Sequence, residues 1–183
     1  LGLYAILTVV DPESNVEYDL TDVIEGGWVA EDVKEAIDVE KIIILTEGKT
    51  DSEFLQNTID IFYPHLKGYY HFMDFEASRY EGSASRLVHT IKSFVGSGIK
   101  NKIIAVFDND SAAKQELENL NSVQLPENIR VVRYPNTKLA KKYPTIGPSG
   151  MEFLNINGLA GSIELYLGKD VLMENGKLTP IQW

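Results

Sequence analysis

Four carboxylates stand at two places in the chain where chemistry could be done. Glu47 and Asp51 occur in Glu47-Gly48-Lys49-Thr50-Asp51, and Asp108 and Asp110 in Asp108-Asn109-Asp110. Each group closes a short apolar run, Lys41-Ile42-Ile43-Ile44-Leu45-Thr46 in the first case and Lys102-Ile103-Ile104-Ala105-Val106-Phe107 in the second. Residues two apart along extended backbone point the same way, so Asp108 and Asp110 can face one cation. Converging carboxylates repel one another unless a cation lies among them. Hard oxygen donors with no Cys or His beside them favour magnesium or manganese over zinc. The expected chemistry is that of a magnesium-type site. Plainer roles exist for both groups: Asp51 suits the first turn of a helix, and Asp110 or Ser111 suits an N-cap. The Gly48-Lys49-Thr50 triplet is not a nucleotide-binding P-loop, because that motif needs a glycine five positions earlier and position 43 is Ile.

The elements that must position these residues follow from periodicity. Both apolar runs are rich in β-branched residues without polar alternation, which marks strands buried on both faces. Such strands belong to parallel sheets, and these place ligands at their carboxyl ends. A helix is expected from about Thr50 to Tyr63, with Phe54, Leu55, Ile59 and Phe62 on one face and Pro64 as its stop. Further strands are expected at 69–75 and 129–134. Further helices are expected at 84–95, closed by Gly96 and Gly98, and at 112–120. Strand and helix alternating in this way give an α/β fold with right-handed crossovers. The boundaries follow: residues 1–40 form an acidic N-terminal extension with a strand hairpin and short helix, residues 41–135 the core, and residues 136–183 an irregular basic loop and a closing element.

Charge separates the first of these segments from the rest. The chain has 183 residues and a net charge of −10, and residues 1–40 hold eleven acids against Lys34 alone. Residues 41–183 are therefore neutral, and their bases can still gather on one side. Between Asn128 and Met151 stand Arg130, Arg133, Lys138, Lys141 and Lys142 with no acid, and Tyr134 and Tyr143 lie among them. That composition suits phosphate contact, and equally a solvated loop. His65, His71 and His89 have no metal-ligand spacing. The absence of cysteine removes disulfides and thiolate zinc sites and is compatible with a cytoplasmic location. No apolar run reaches membrane-spanning length. The start at Leu1 and the close at Trp183 suggest a piece of a longer protein, whose other domains would then be partners.

Glu47-Gly48-Lys49-Thr50-Asp51 after one hydrophobic strand and Asp108-x-Asp110 after another resemble the Toprim domain of topoisomerases, bacterial primases, recombination proteins and overcoming-lysogenization-defect nucleases. The likeness covers roughly residues 41–135. A longer pattern is closer to the Toprim modules of HEPN/Toprim-type proteins, which are suspected of roles in defence against phage. It comprises Tyr63-Pro64-His65-Leu66, Met73-Asp74-Phe75-Glu76, Tyr143-Pro144-Thr145-Ile146-Gly147-Pro148 and Gly161-Ser162-Ile163-Glu164. The resemblance implies a three-layer Rossmann-like Toprim fold with a mostly parallel central sheet. It implies that Glu47 transfers protons or binds metal, and that Asp108 and Asp110 hold one or two Mg²⁺ or Mn²⁺ ions. Asp51 joins them as a candidate ligand. In the nuclease branch a downstream acid and a lysine complete the site. Glu164 is the candidate acid, and Lys142, Lys141 or Lys138 the candidate lysine. Topoisomerase action would require a nucleophilic tyrosine on a separate module, and no such tyrosine is identifiable.

The expectation is thus a Mg²⁺-dependent nuclease domain whose partner is DNA or RNA. Its rivals are a non-catalytic metal- or nucleotide-binding module and a phosphoryl-transfer α/β fold. The last fits less well, since receiver domains cluster two acids after their first strand and one after the third.

Overall fold

Unbroken aliphatic stretches form the centre of the structure, a computed structural model that describes residues 41–73 and 82–182, with Asp22 and residues 25–27 besides. Four strands, β1 (Ile42–Thr46), β2 (Tyr70–Phe72), β3 (Ile103–Phe107) and β5 (Ile129–Arg133), make one sheet in the order β2-β1-β3-β5. Every neighbouring pair is parallel, with Leu45 opposite Ala105 and Ala105 opposite Val131. The α/β class and parallel sheet expected from the apolar runs are therefore present.

Among the described residues three helices connect these strands. α1 (Lys49–Phe62) follows β1, α2 (Ala84–Ser97) precedes β3, and α3 (Ser111–Glu118) follows it. Ser83 caps α2 by accepting the Arg86 N–H at 3.2 Å, and Gly98 ends it in the left-handed conformation at φ 64°, which glycine adopts without steric cost. Leu87, Val88 and Ile91 of α2 and Ala113 of α3 pack with Leu45, Ile103, Ala105, Phe107 and Ile129 as the main core. Burying such side chains contributes about 1.5–3 kcal/mol each. α1 departs from expectation. Leu55 and Ile59 of its predicted apolar face are half-buried, whereas Phe62 is 70% exposed and Phe54 also faces solvent. Its fully buried residues are Asp51 and Ser52, so this helix serves the sheet end more than the core.

Residues 136–183 are more regular than an irregular loop. β6 (Tyr143–Gly147) and β7 (Gly150–Leu154) form an antiparallel hairpin, and β11 (Ile181–Gln182) adds to β6 in parallel. Pro144 argued against a strand because it cannot donate to a ladder. It is accommodated because β11 reaches only Thr145 and Ile146. Ala140, Tyr143, Ile156 and Leu165 build a second, smaller core here, so Tyr143 is a packing residue. Two residues beyond β3, the short strand β4 (Asn109–Asp110) pairs antiparallel with β8 (Ala160–Gly161), and a single-turn helix, α4 (Glu164–Leu167), follows β8.

By its contacts the chain divides into Leu1–Val39 and Glu40–Trp183. In the first unit the Gly26 N–H donates to the Asp22 carbonyl at 3.0 Å. The expected N-terminal hairpin and acidic helix lie outside the described residues, as do Asp74 and Glu76 at the end of the expected second strand. Among the described residues no helix is long and apolar enough to cross a membrane.

Candidate metal centre

The two acidic motifs meet at the carboxyl end of the parallel sheet. Glu47 follows the last residue of β1, Asp108 follows the last residue of β3, and these strands are neighbours. The Asp108 N–H donates to Glu47 Oε1 at 2.8 Å, tying two motifs 61 residues apart. Thr46, fully buried, turns the chain by donating its hydroxyl to the Gly48 carbonyl at 2.8 Å. Gly82 lies directly over this turn: a Cβ there would stand 2.3 Å from the Glu47 carbonyl oxygen.

Each remaining candidate acid has its own anchor. Asp51, in the first turn of α1, accepts the Tyr134 hydroxyl at 3.0 Å. Asp110 accepts the Ala113 N–H at 2.7 Å and caps α3, so the plainer role expected for it is realised. Glu164 begins α4 and accepts the hydroxyl of Ser162. Asp108 differs: its Oδ1 is buried with no hydrogen-bond partner among the described residues.

The electrostatics follow from this crowding. Burial pushes the Glu47 carboxyl up to about 7, with Asp110 and Asp51 adding repulsion against the Asp108 backbone hydrogen bond. Burial likewise raises Asp108 to about 8, assisted by the charges of Asp51, Glu47, Asp110 and Glu164. Asp51 is raised by burial and by Glu164, although the Tyr134 hydrogen bond opposes this. Asp110 and Glu164 thus add their charge to that of Glu47, Asp51 and Asp108, and among the described residues no basic side chain is among the charges that shift those three.

These side chains do not stand as a finished cage. Among the described residues no three Asp, Glu or His side chains are grouped closely enough to hold a metal ion. The donor chemistry nonetheless fits a hard divalent cation, because a buried carboxylate oxygen lacking a partner beside a second raised carboxyl is stabilised by positive charge. Glu47 and Asp108 would hold it first. Asp51, Asp110 and Glu164 each have a second carboxylate oxygen through which they could join.

Lys142 ends a 3-10 turn (Leu139–Lys142), with Nζ 5.6 Å from the centroid of the Phe153 ring. Arg130 sits near the start of β5, at the opposite end of the strands from the acids, and His71 is exposed on β2. A cavity of about 630 Å³ beside α1 and β2 is lined by Lys49, Ser52 and His71, but by none of the five carboxylates.

Four residues with no assigned role in the sequence reading support the site. Tyr134 holds Asp51, stacks on Tyr166 at 4.9 Å between ring centroids, and has its own hydroxyl proton held more tightly through burial and the Asp51 charge. Asn109 is fully buried between the two acids and donates to Asn136 Oδ1 at 2.9 Å. Gly161 approaches Asn109 so closely that a Cβ would stand 2.7 Å from the Asn109 carbonyl oxygen. Gly82 is the fourth. Tyr134 was detectable in principle, since it leaves the carboxyl end of a strand in the same sheet. No family model, curated protein or solved structure matches the chain.

Proposed function

We propose that this chain carries a Toprim-type domain that binds Mg²⁺ and cleaves phosphodiester bonds of a nucleic acid. The observation that carries the reading is the Glu47–Asp108 pair: two acids from neighbouring parallel strands, joined through one hydrogen bond, with Asp108 Oδ1 buried and lacking a partner among the described residues. The Glu-Gly-x-x-Asp turn and the Asp-x-Asp turn at the same sheet end support it. Bound magnesium would supply Lewis-acid polarisation of the phosphate and a more acidic water.

The chain's own residues perform the remaining tasks in this proposal. Asp108 and Glu47 would hold the cation, and Asp110 orients Asp108-Asn109-Asp110 by capping α3. Glu47 is also the group placed to accept a proton from an attacking water. Tyr134 keeps Asp51 turned toward the cluster. The basic residues Lys138, Lys141 and Lys142 belong to the nucleic-acid contact.

The test is cleavage of RNA, single-stranded DNA and duplex DNA with Mg²⁺ or Mn²⁺ by the wild-type protein and by Glu47→Gln and Asp108→Asn. Loss of cleavage in both folded variants supports the assignment, and undiminished cleavage by both rejects it. The hydrogen bonds that Asp51, Asp110 and Glu164 make within the chain favour a second reading, a non-catalytic metal- or nucleotide-binding module. A metal-dependent rise in thermal stability without turnover on any of the three substrates would select it.

A further inference from the structure

At the amino ends of the central strands, away from the carboxylates, lies a cavity of about 500 Å³. Ile42, Ile103 and Ile104 line it from β1 and β3, and Lys100, Lys102 and Arg130 surround them, with Glu127 as the one acid among the described residues. Among the described residues none of these three cations forms an ion pair. The lining therefore carries two net positive charges beside an apolar floor, in a protein whose overall charge is −10. Cations brought together without counterions repel one another, and a bound anion relieves that repulsion.

A second observation narrows the ligand. Lys100 and Asn128 also line an adjoining cavity of about 300 Å³, whose other residues include Phe94, Val95, Leu125 and Pro126. Asn128, which lines both cavities, donates to the Ile99 carbonyl at 2.9 Å and the Asn101 carbonyl at 2.8 Å. One chamber is cationic and its neighbour is apolar. Pockets of these sizes suit a small ligand with a charged head and a flat apolar body.

We infer that these paired cavities bind a mononucleotide, with its phosphate against Lys100, Lys102 and Arg130 and its base against Phe94, Val95 and Leu125. The inference is independent of the metal centre, since the two places occupy opposite ends of the same strands. A nucleotide seated here is a ligand or effector, out of reach of Glu47 and Asp108. Arg130 then reads a small-molecule phosphate and is separate from the lysines of the 138–142 turn.

The experiment is equilibrium titration of the full chain with a nucleoside monophosphate, in the presence of a chelator so that the acidic cluster holds no metal. Inorganic phosphate and a short 5′-phosphorylated single-stranded oligonucleotide serve as competitors. One-to-one binding is expected, weakened about tenfold or more by Lys102→Gln combined with Arg130→Gln and unchanged by Glu47→Gln or Asp108→Asn. The first two positions are exposed, so the double variant retains its fold, which circular dichroism checks. No binding at millimolar nucleotide would overturn the inference, as would binding indifferent to the double variant. Displacement by the oligonucleotide but not by free nucleotide, or inorganic phosphate binding as tightly as the nucleotide, would overturn it too. Loss of metal-dependent cleavage in the acid variants with nucleotide binding intact separates this inference from the proposed function.

Discussion

The hydroxyl of Tyr134 donates to Asp51 Oδ1 at 3.0 Å, bridging 83 residues from the end of β5 to the first turn of α1. A largely buried carboxylate depends on such a donor, because removing it leaves a charged acceptor without compensation. Tyr134→Phe is therefore expected to cost about 1.5–3 kcal/mol, since it deletes a hydrogen bond to a charged group and little else. Urea unfolding measures the loss, and NMR titration should find the Asp51 carboxyl raised further. An unchanged unfolding midpoint would show that the bond adds nothing in solution.

The stability of the metal-free protein should fall as pH rises. Glu47 and Asp108 sit at about 7 and about 8 in the fold, above their ordinary values of 4.5 and 3.8. Between those limits the folded state holds more protons than the unfolded state, so raising pH favours unfolding. Thermal unfolding with a chelator should show a lower midpoint at about pH 8 than at about pH 5, and Mg²⁺ should close much of that gap. Asp108→Asn should flatten the dependence and stabilise the metal-free protein at the higher pH. A midpoint that rises with pH in the absence of metal would contradict the electrostatics described here.

Asp110 has two jobs that substitution can separate. Asparagine caps helices about as well as aspartate, whereas alanine loses about 1 kcal/mol at such a position. Asp110→Ala should therefore destabilise the protein by roughly that amount, and Asp110→Asn should not. If the charge also serves the metal, Asp110→Asn weakens the Mg²⁺-dependent thermal shift while leaving metal-free stability near wild type. Equal metal response in Asp110→Asn and wild type would confine the residue to capping.

Gly82 tests how tightly the first acidic turn is held. A methyl group there would meet the Glu47 carbonyl oxygen at 2.3 Å and the Gly48 Cα at 2.9 Å, both backbone atoms. Overpacking of this kind costs about 1–3 kcal/mol. Gly82→Ala should show that loss by urea unfolding together with a reduced Mg²⁺ response, because the displaced turn carries Glu47. Wild-type values for both would mean that the turn yields easily.

The central sheet was readable because its strands are chemically uniform. Ile42 to Leu45, Ile103 to Phe107 and Ile129 to Val132 carry no polar residue but Arg130, and buried parallel strands need little else. The ends of α2 were readable for a similar reason, since Gly98 adopts the left-handed cap that its type allows. Glu47 and Asp108 came together because strand order placed β1 beside β3, which local sequence does not encode. The β6–β7 hairpin was hidden by Pro144, Gly147, Pro148 and Gly150, which weigh against strands individually but shape a turn together. The outward-facing Phe54 and Phe62 could not be foreseen, because periodicity identifies an apolar face but not whether anything covers it. Tyr134 and Gly82 matter through distant partners, and no window around either residue contains those partners.

The pairing of Asn109 and Asp110 with Gly161 and Ala160 bears on how this polypeptide could be dissected. Strand β4 lies within the stretch that resembles a familiar module, yet its mate comes from some fifty residues downstream. A fragment cut after β5 would keep the four parallel strands and lose the backstop that braces Asp108-Asn109-Asp110. The smallest piece able to hold its acids in place is therefore set by the later segment, and grafting residues 41–135 alone would transfer the scaffold without its working end.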